Sequence, residues 1–400
     1  MTAGVDAEAI GRVFREESGR SVATLVRIFG SIDLAEDAVQ EAFVIASRTW
    51  PVQGLPANPG GWITTTARNR ATDRLRRTVR GRELLTEVAV LEQPGHDDDP
   101  DVGAVRDDQL RLVFTCCHPA LSMEARIALT LRLLGGLTTA EVASAFLVAE
   151  PTMAQRLVRA KRKITQARIP FRVPAEADLP HRVGAVLHVL YLVYNAGADG
   201  DGELCADAIR LARVLRELLP TDPEVTGLLA LLLLTEARRP ARRGAGGRLV
   251  VLRDQDRSRW DRALVDEGQA LVRALLERNE PGPFQLQAAI AAVHTDAATF
   301  ADTDWHQVLA LYDHLLAVQP TSVVALNRAI ALSEVDGPGP ALAIVDRLDL
   351  DGYLPLHATR AHLLRALGHH DRADEEFARA ASLAADPAQR AWLARQTTRA

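Results

Sequence analysis

The sequence predicts an all-α protein of several domains, and three observations carry that expectation. Ala, Leu and Arg are plentiful while aromatic residues make up only 4% of the chain, a balance that favours helix over sheet because β-rich folds draw on aromatic and β-branched residues. Apolar residues recur three and four apart over much of the length, the spacing of one helix face. Proline- and glycine-rich turns such as Leu219–Pro223, Asn279–Pro283 and Asp336–Pro340 divide the helical stretches. Four hundred residues exceed a usual domain of about 100–200 residues, so two or three domains are expected.

The elements follow in chain order. Residues 8–50 read as helices; in Asp33–Trp50, Leu34, Ala38, Val39, Ala42, Phe43 and Ala46 share a face, with Asp33 expected as N-cap and Glu36 completing a capping box. Loop 51–60, with three prolines and two glycines, breaks the pattern, and a second helix is expected from about Gly61 to Arg77. The polar, acidic stretch around Gln93–Asp101 has no apolar period and reads as a flexible linker, 83–106. A compact helical unit is expected over 107–170 and a helical extension over 178–400. Within the extension, Leu249–Leu252 is expected to be a short strand or a buried extended segment.

From about residue 300 the chain reads as repetitive. Ala310, Ala341 and Ala373 precede helix faces ending near Ala317, Leu348 and Ala380, Ala329 and Ala361 are 32 apart, and Gly337 and Gly368 are 31 apart. The period is near that of tetratricopeptide repeats, about 34 residues. Its clearest copy is Ala361, Gly368, Ala373, Phe377 and Ala380, where small residues permit close helix packing around the phenyl ring.

Charge is distributed unevenly. The formal net charge is −5, yet residues 60–82 hold seven arginines (Arg68, Arg70, Arg74, Arg76, Arg77, Arg80, Arg82) against Asp73 alone. Residues 153–173 hold seven bases and no acid, while 83–109 carry nine acids and one arginine. Two basic islands of this kind are what a phosphate backbone detects. Three cysteines, two of them adjacent, form no disulfide framework and point to a reducing compartment. No signal-peptide pattern opens the chain, and the apolar runs Val186–Tyr194 and Leu228–Leu234 fall short of the roughly 20 residues a bilayer requires. A cytoplasmic protein without membrane partners is expected.

The segment Leu137–Ile164 has the layout of a helix-turn-helix. Thr138 or Thr139 caps a short helix with Val142, Ala143 and Phe146 inward, and a tight connection leads to a second helix opening at Pro151. Met153, Leu157, Ala160 and Ile164 form its buried face, leaving Thr152, Gln155, Arg156 and Arg159 outward near its start, where such a helix enters a major groove. Gln155 and the arginines match adenine and guanine edges, while Lys161, Arg162 and Lys163 suit phosphates. An ordinary solvated basic face is the competing reading. On the first basic helix, Arg70, Arg74 and Arg77 share a face. Trp62 beside those cations suits unpaired bases, which stack on aromatic rings, although on spacing alone it reads rather as core.

Taken together, these segments resemble the extracytoplasmic-function (group IV) sigma factors of bacterial RNA polymerase. Asp33–Phe43 looks like their polymerase-binding signature in region 2, Gly61–Arg77 is similar to their −10 element helix, and 137–164 looks like region 4, which reads the −35 element. The resemblance covers about residues 8–170. It implies region 2 over 8–82 and region 4 over 107–170, with core polymerase (clamp helices and flap) and promoter DNA as partners. By position it implies that Asp37, Gln40 and Glu41 face the clamp helices and that loop 51–60 captures a flipped −10 base, at a cost in unstacking. Trp62, Asn69, Arg70, Asp73, Arg74, Arg76 and Arg77 would then serve the −10 element, and Thr152, Gln155, Arg156, Arg159, Lys161, Arg162 and Lys163 the −35 element. Pro151 departs from the glycine usual before that threonine.

The second half, through Ala185–Asn195, Cys205–Arg213, Asp254–Asp261 and Gly282–Ala292, resembles the extension of the subgroup that ends in tetratricopeptide-like helices. Asn195–Gly197 departs mildly from the Asn-Glu-Gly of relatives. Docking of this half on the sigma regions, or on polymerase, is expected to set activity in cis.

Other features read blandly. Cys116-Cys117-His118 offers poor chelation, so buried thiols beside Phe114 are expected rather than a metal site. The cluster Asp254–Asp261 reads as an ion-pair network between helices, or as a ligand site, and His188 as a core histidine. With no Walker loop, nucleophile elbow or HExxH, neither cofactor nor enzyme activity is expected. The other function class kept open is a helix-turn-helix regulator with a helical-repeat sensor, which would bind a palindrome without polymerase.

Overall fold

The computed structural model describes residues 7–79, 102–146, 148–175, 177–197, 203–244, 250–384 and 387–397. Regular structure among them is helical, with no strand, as the composition predicts. The chain divides into two compact units, Met1–Leu218 and Leu219–Ala400.

The first unit opens on α1 (Ala7–Phe29), α2 (Ile32–Gln53) and α3 (Pro59–Val79), which pack against one another. The apolar stripe read from the sequence is the buried face of α2: Ala38, Val39, Ala42, Phe43 and Ala46 lie inside, with Leu34 half-buried. Phe43 meets Phe14 of α1 edge-on, ring centroids 4.0 Å apart. The expected cap is displaced. Ser31, not Asp33, accepts from the Leu34 N–H, and Glu36 is buried among cations described below. Helix α2 also continues through Pro51 to Gln53, where Gly54 (φ +84°) ends it, so only residues 54–58 connect to α3. Asn58 Oδ1 accepts from the Gly61 N–H at 2.8 Å, starting α3 two residues before the expected Gly61.

Helix α4 (Val102–Cys116) takes up 102–106, which the sequence assigns to the linker. The rest of that linker, 83–101, and Arg80 and Arg82 lie outside the described residues. Then come α5 (Met123–Leu129), which widens into a π-turn over Thr130–Leu134, α6 (Thr139–Ala145), α7 (Glu150–Gln166), α8 (Leu179–Gly197) and α9 (Glu203–Leu218). Two glycines allow α1 to approach the end of the π-turn. A Cβ on Gly19 would stand 2.9 Å from the Leu134 carbonyl oxygen, and Gly136 turns at φ +73° against Arg15 and Ser18. The left-handed φ and the lack of room together exclude side chains there.

Helices α8 and α9, placed by the sequence in the extension, belong to this first unit. Arg182 of α8 donates to the Phe114 carbonyl at 2.7 Å, and Arg210 of α9 to the Gly135 carbonyl at 2.9 Å. Cys116, the last residue of α4, and Cys117 just after it are buried as expected: burial pushes the Cys117 thiol up to about 11, and Cys116 is raised as well. His188 differs, because it points outward with Nδ1 2.9 Å from the Gly184 carbonyl oxygen rather than into the core.

The second unit comprises α10 (Pro223–Glu236), α11 (Arg239–Arg242), α12 (Arg262–Arg278), α13 (Pro283–Asp296), α14 (Trp305–Val318), α15 (Ser322–Val335), α16 (Pro338–Val345), α17 (Leu354–Ala366), α18 (His370–Leu383) and α19 (Pro387–Gln396). From α13 onward each helix packs on the next in sequence, the neighbour-only packing of helical repeats. The repeat positions Ala329, Ala341, Ala361, Ala373, Phe377 and Ala380 are fully buried, and Gly337 and Gly368 end helices at φ +86° and +82°. Ala310 and Ala317 are the exception: both are exposed, and α14 is anchored instead by Val308 and Leu315.

Leu249 lies outside the described residues, and Val250–Leu252 form no strand. Val250 donates its N–H to the Arg242 carbonyl at 2.9 Å and Leu252 opens a 3₁₀ turn. The polar cluster that follows is not the expected ion-pair network. Asp256 and Asp261 cap their own turns, and Arg257 donates to the carbonyls of His294 and Ala297 at the end of α13.

Candidate nucleic-acid interface

Helix α3 buries Ile63, Ala67 and Ala71, so its three-and-four period leaves the intervening polar residues outside. Arg68, Asn69, Arg70, Asp73, Arg74, Arg76 and Arg77 are all exposed. Trp62 is half-buried, its ring edge-on to the buried Trp50 at 5.3 Å. Arg74 does not stand alone on this face. It bridges to Asp37 at 2.8 Å and approaches Glu41 at 3.9 Å, so two of the residues expected to meet polymerase share a surface with one expected to meet DNA. Gln40, the third, is half-buried.

Helices α6 and α7 form the helix-turn-helix as read. Thr138 accepts from the Glu141 N–H, and the Glu141 carboxylate accepts from the Thr138 N–H at 2.6 Å, a complete capping box. Val142 and Ala143 are buried; Phe146 ends α6 only half-buried. Pro151 occupies the first turn of α7, and Met153, Leu157, Ala160 and Ile164 form its buried stripe. Thr152, Gln155, Arg156, Arg159, Arg162 and Lys163 are exposed. Arg156, Arg159 and Lys163 also edge an open groove of about 670 Å³ between α5 and α7, with Leu121, Phe146 and Met153 among its lining.

Lys161 departs from the expected phosphate-facing role. Its ammonium is turned inward, 3.0 Å from Glu36 and 2.5 Å from Asp33 of α2. Burial alone would lower its pKa, but the two carboxylates outweigh that effect and raise it. Arg132, from the π-turn, binds the other Glu36 oxygen at 2.6 Å and donates to the Leu137 carbonyl at 2.7 Å. Neither Arg132 nor the role of Glu36 is legible locally, because the partners of Glu36 lie 96 and 125 residues away. Arg27 and the buried Asp108 add a second ion pair across the unit, from α1 to α4, at 2.6 Å. Among the described residues, no His, Cys, Asp or Glu group is arranged to hold a metal, and no helix is long and apolar enough to cross a membrane.

Two exposed basic helices, one on a three-helix bundle and one in a helix-turn-helix, define a two-region sigma-type protein. Family comparisons give the same division: residues 13–81 match Sigma-70 region 2 and 111–164 match Sigma-70, region 4. Residues 182–276 match a family of unknown function (DUF6596). ECF RNA polymerase sigma factor SigL of Mycobacterium tuberculosis is 31% identical over 140 residues, 35% of this chain and 77% of that protein. The chain belongs to the extracytoplasmic-function RNA polymerase sigma factors.

Probable ECF RNA polymerase sigma factor SigI of the same organism is 28% identical over 184 residues, 44% of this chain and 60% of SigI. Likeness over the whole length comes from Uncharacterized protein R00370 of Rhizobium meliloti (strain 1021), 40% identical over 390 residues, 94% of this chain and 92% of that one. The extension is therefore shared with that relative. The crystal structure of the P58(IPK) TPR domain aligns with 98% of this chain and 97% of its own at 12% identity and a TM-score of 0.25, too low to bear on the fold.

Proposed function

We propose that this sigma factor joins core RNA polymerase through the α2 face carrying Asp37, Gln40 and Glu41, and directs initiation by placing α3 on the −10 element and α7 on the −35 element. The observation that carries this reading is the pair of exposed cationic faces on α3 and α7, each backed by a buried apolar stripe that fixes which residues point out. Arg70 and Arg77 hold the −10 backbone while Trp62, edge-on to Trp50, offers a ring to an unpaired base. Thr152, Gln155, Arg156 and Arg159 read major-groove edges, and Arg162 and Lys163 meet phosphates. Binding energy to the unpaired strand offsets the cost of melting, and no covalent chemistry is involved.

The division of labour is region 2 over 8–82, region 4 over 107–170 and, from 178, an extension that sets activity in cis. What supports a role in cis is that α8 and α9 pack on the sigma part, with Arg182 and Arg210 bonded to backbone carbonyls of α4 and of the turn before the helix-turn-helix. Permanganate probing of promoter DNA tests the −10 assignment. Reactive thymines should appear near −10 only with core polymerase and this chain together, and Arg70→Ala combined with Arg77→Ala should weaken them at unchanged polymerase binding. Unaltered melting in that variant would remove α3 from the −10 site.

A further inference from the structure

Glu36 sits where two functions meet. It is next to Asp37 on the α2 face proposed for polymerase, yet its carboxylate binds Arg132 of the π-turn and Lys161 from the middle of α7. The side chains of Glu36, Arg132 and Lys161 are 11%, 11% and 14% exposed, so solvent does little to screen the set. Asp33, with its side chain 70% exposed, adds a fourth charge at the rim, 2.5 Å from Lys161. Two carboxylates thus oppose two cations, three of the four side chains shielded and Asp33 open to solvent at the rim.

We propose that Glu36 is a positioning residue that clasps the recognition helix to region 2, and that DNA phosphates and Glu36 compete for the Lys161 ammonium. The inference rests on the reading of α7 as the duplex-binding helix. Geometry makes the competition unavoidable. At 3.4 Å per base pair, elements centred at −10 and −35 lie roughly 85 Å apart. A compact unit the length of Met1–Leu218 has a radius of gyration of only about 17 Å. With the clasp shut, α3 and α7 cannot reach both elements at once. Opening must separate Glu36 from Lys161 and Arg132, and the freed ammonium then gains a phosphate while Glu36 is exposed beside the polymerase-binding carboxylates. Release of the clasp and engagement of promoter and polymerase are thereby coupled through one side chain.

The test uses the full chain, without polymerase, and fluorescence anisotropy of a labelled mixed-sequence duplex titrated at several salt concentrations. Glu36→Gln keeps the shape and removes the charge. It should bind the duplex roughly five- to tenfold more tightly than the parent and steepen the log K against log salt slope by about one, the signature of one added phosphate contact. Lys161→Ala should abolish the gain in the Glu36→Gln background, and cost more there than in the parent, a non-additivity that a merely structural role would not produce. Should Glu36→Gln fail the melting control for folding, Asp33→Asn at the exposed rim should give the same shift in smaller measure. The clasp is overturned if neither variant binds DNA better than the parent, or if Lys161→Ala weakens the parent as much as it weakens the charge-removed variant. Promoter-dependent transcription by the parent, run alongside, separates the two readings: transcription with no shift in the variants sinks the clasp alone.

Discussion

His294 is the residue whose environment has the most direct consequence for pH. It lies at the end of α13 beside Trp305, with ring centroids 5.2 Å apart. Burial first, then the charges of Arg238 and Arg257, lower its pKa from 6.5 to about 4. The unfolded chain therefore takes up a proton as pH falls through 6.5, while the folded chain refuses it until about 4. Its share of stability is intact above 6.5 and is lost on acidification across that window, by up to about 3 kcal/mol. Urea unfolding of the parent and His294→Gln at neutral and mildly acid pH should show a steeper acid loss in the parent; equal slopes would contradict the assignment. The buried Cys116 and Cys117, with raised pKa values, should resist iodoacetamide in the native protein and react only after unfolding, because the thiolate is the nucleophile.

The recognition helix shows what the sequence holds locally and what it does not. Its buried stripe Met153, Leu157, Ala160 and Ile164 and the Thr138–Glu141 capping box were legible because both depend on residues within a turn or two of each other. Glu36 was not: its position three residues after Asp33 mimics a capping box, whereas Ser31 caps locally and Glu36 is held by partners 96 and 125 residues away. Lys161 looked like its neighbours Arg162 and Lys163 for the same reason, since its partners come from α2. The repeat alanines were legible from Ala329 onward but not at Ala310, where α14 packs through Val308 and Leu315 instead. Arg156→Ala should cost about 1–3 kcal/mol at a single −35 position and relax its base preference. Arg162→Ala should weaken all sequences alike and flatten the salt dependence by about one unit. A uniform loss from Arg156→Ala, read by competition among −35 variants, would place it on the backbone rather than a base edge.

At the scale of the molecule, the boundary between the two compact units, at Leu218, falls later than the start of the extension at 178. Helices α8 and α9 supply buried Val186, Leu187, Leu190, Val193, Tyr194, Leu211 and Leu215 to the first unit, so a cut near Pro174 removes core as well as extension. A 1–218 fragment should melt cooperatively, whereas 1–174 should lose at least about 10 °C in Tm, an amount that a loss of several kcal/mol implies at this size. Equal melting of the two would show that α8 and α9 are passengers. Any comparison of activity with and without the extension therefore belongs at Leu218.

Promoter-dependent run-off transcription with purified core polymerase, using the full chain against a library of promoters, tests the central claim most directly. Discrete transcripts that require the chain, and that vanish when Arg156 and Arg159 are both replaced by alanine, are the predicted result. Absence of any chain-dependent transcript, together with binding of the chain alone to a palindromic duplex, would contradict it.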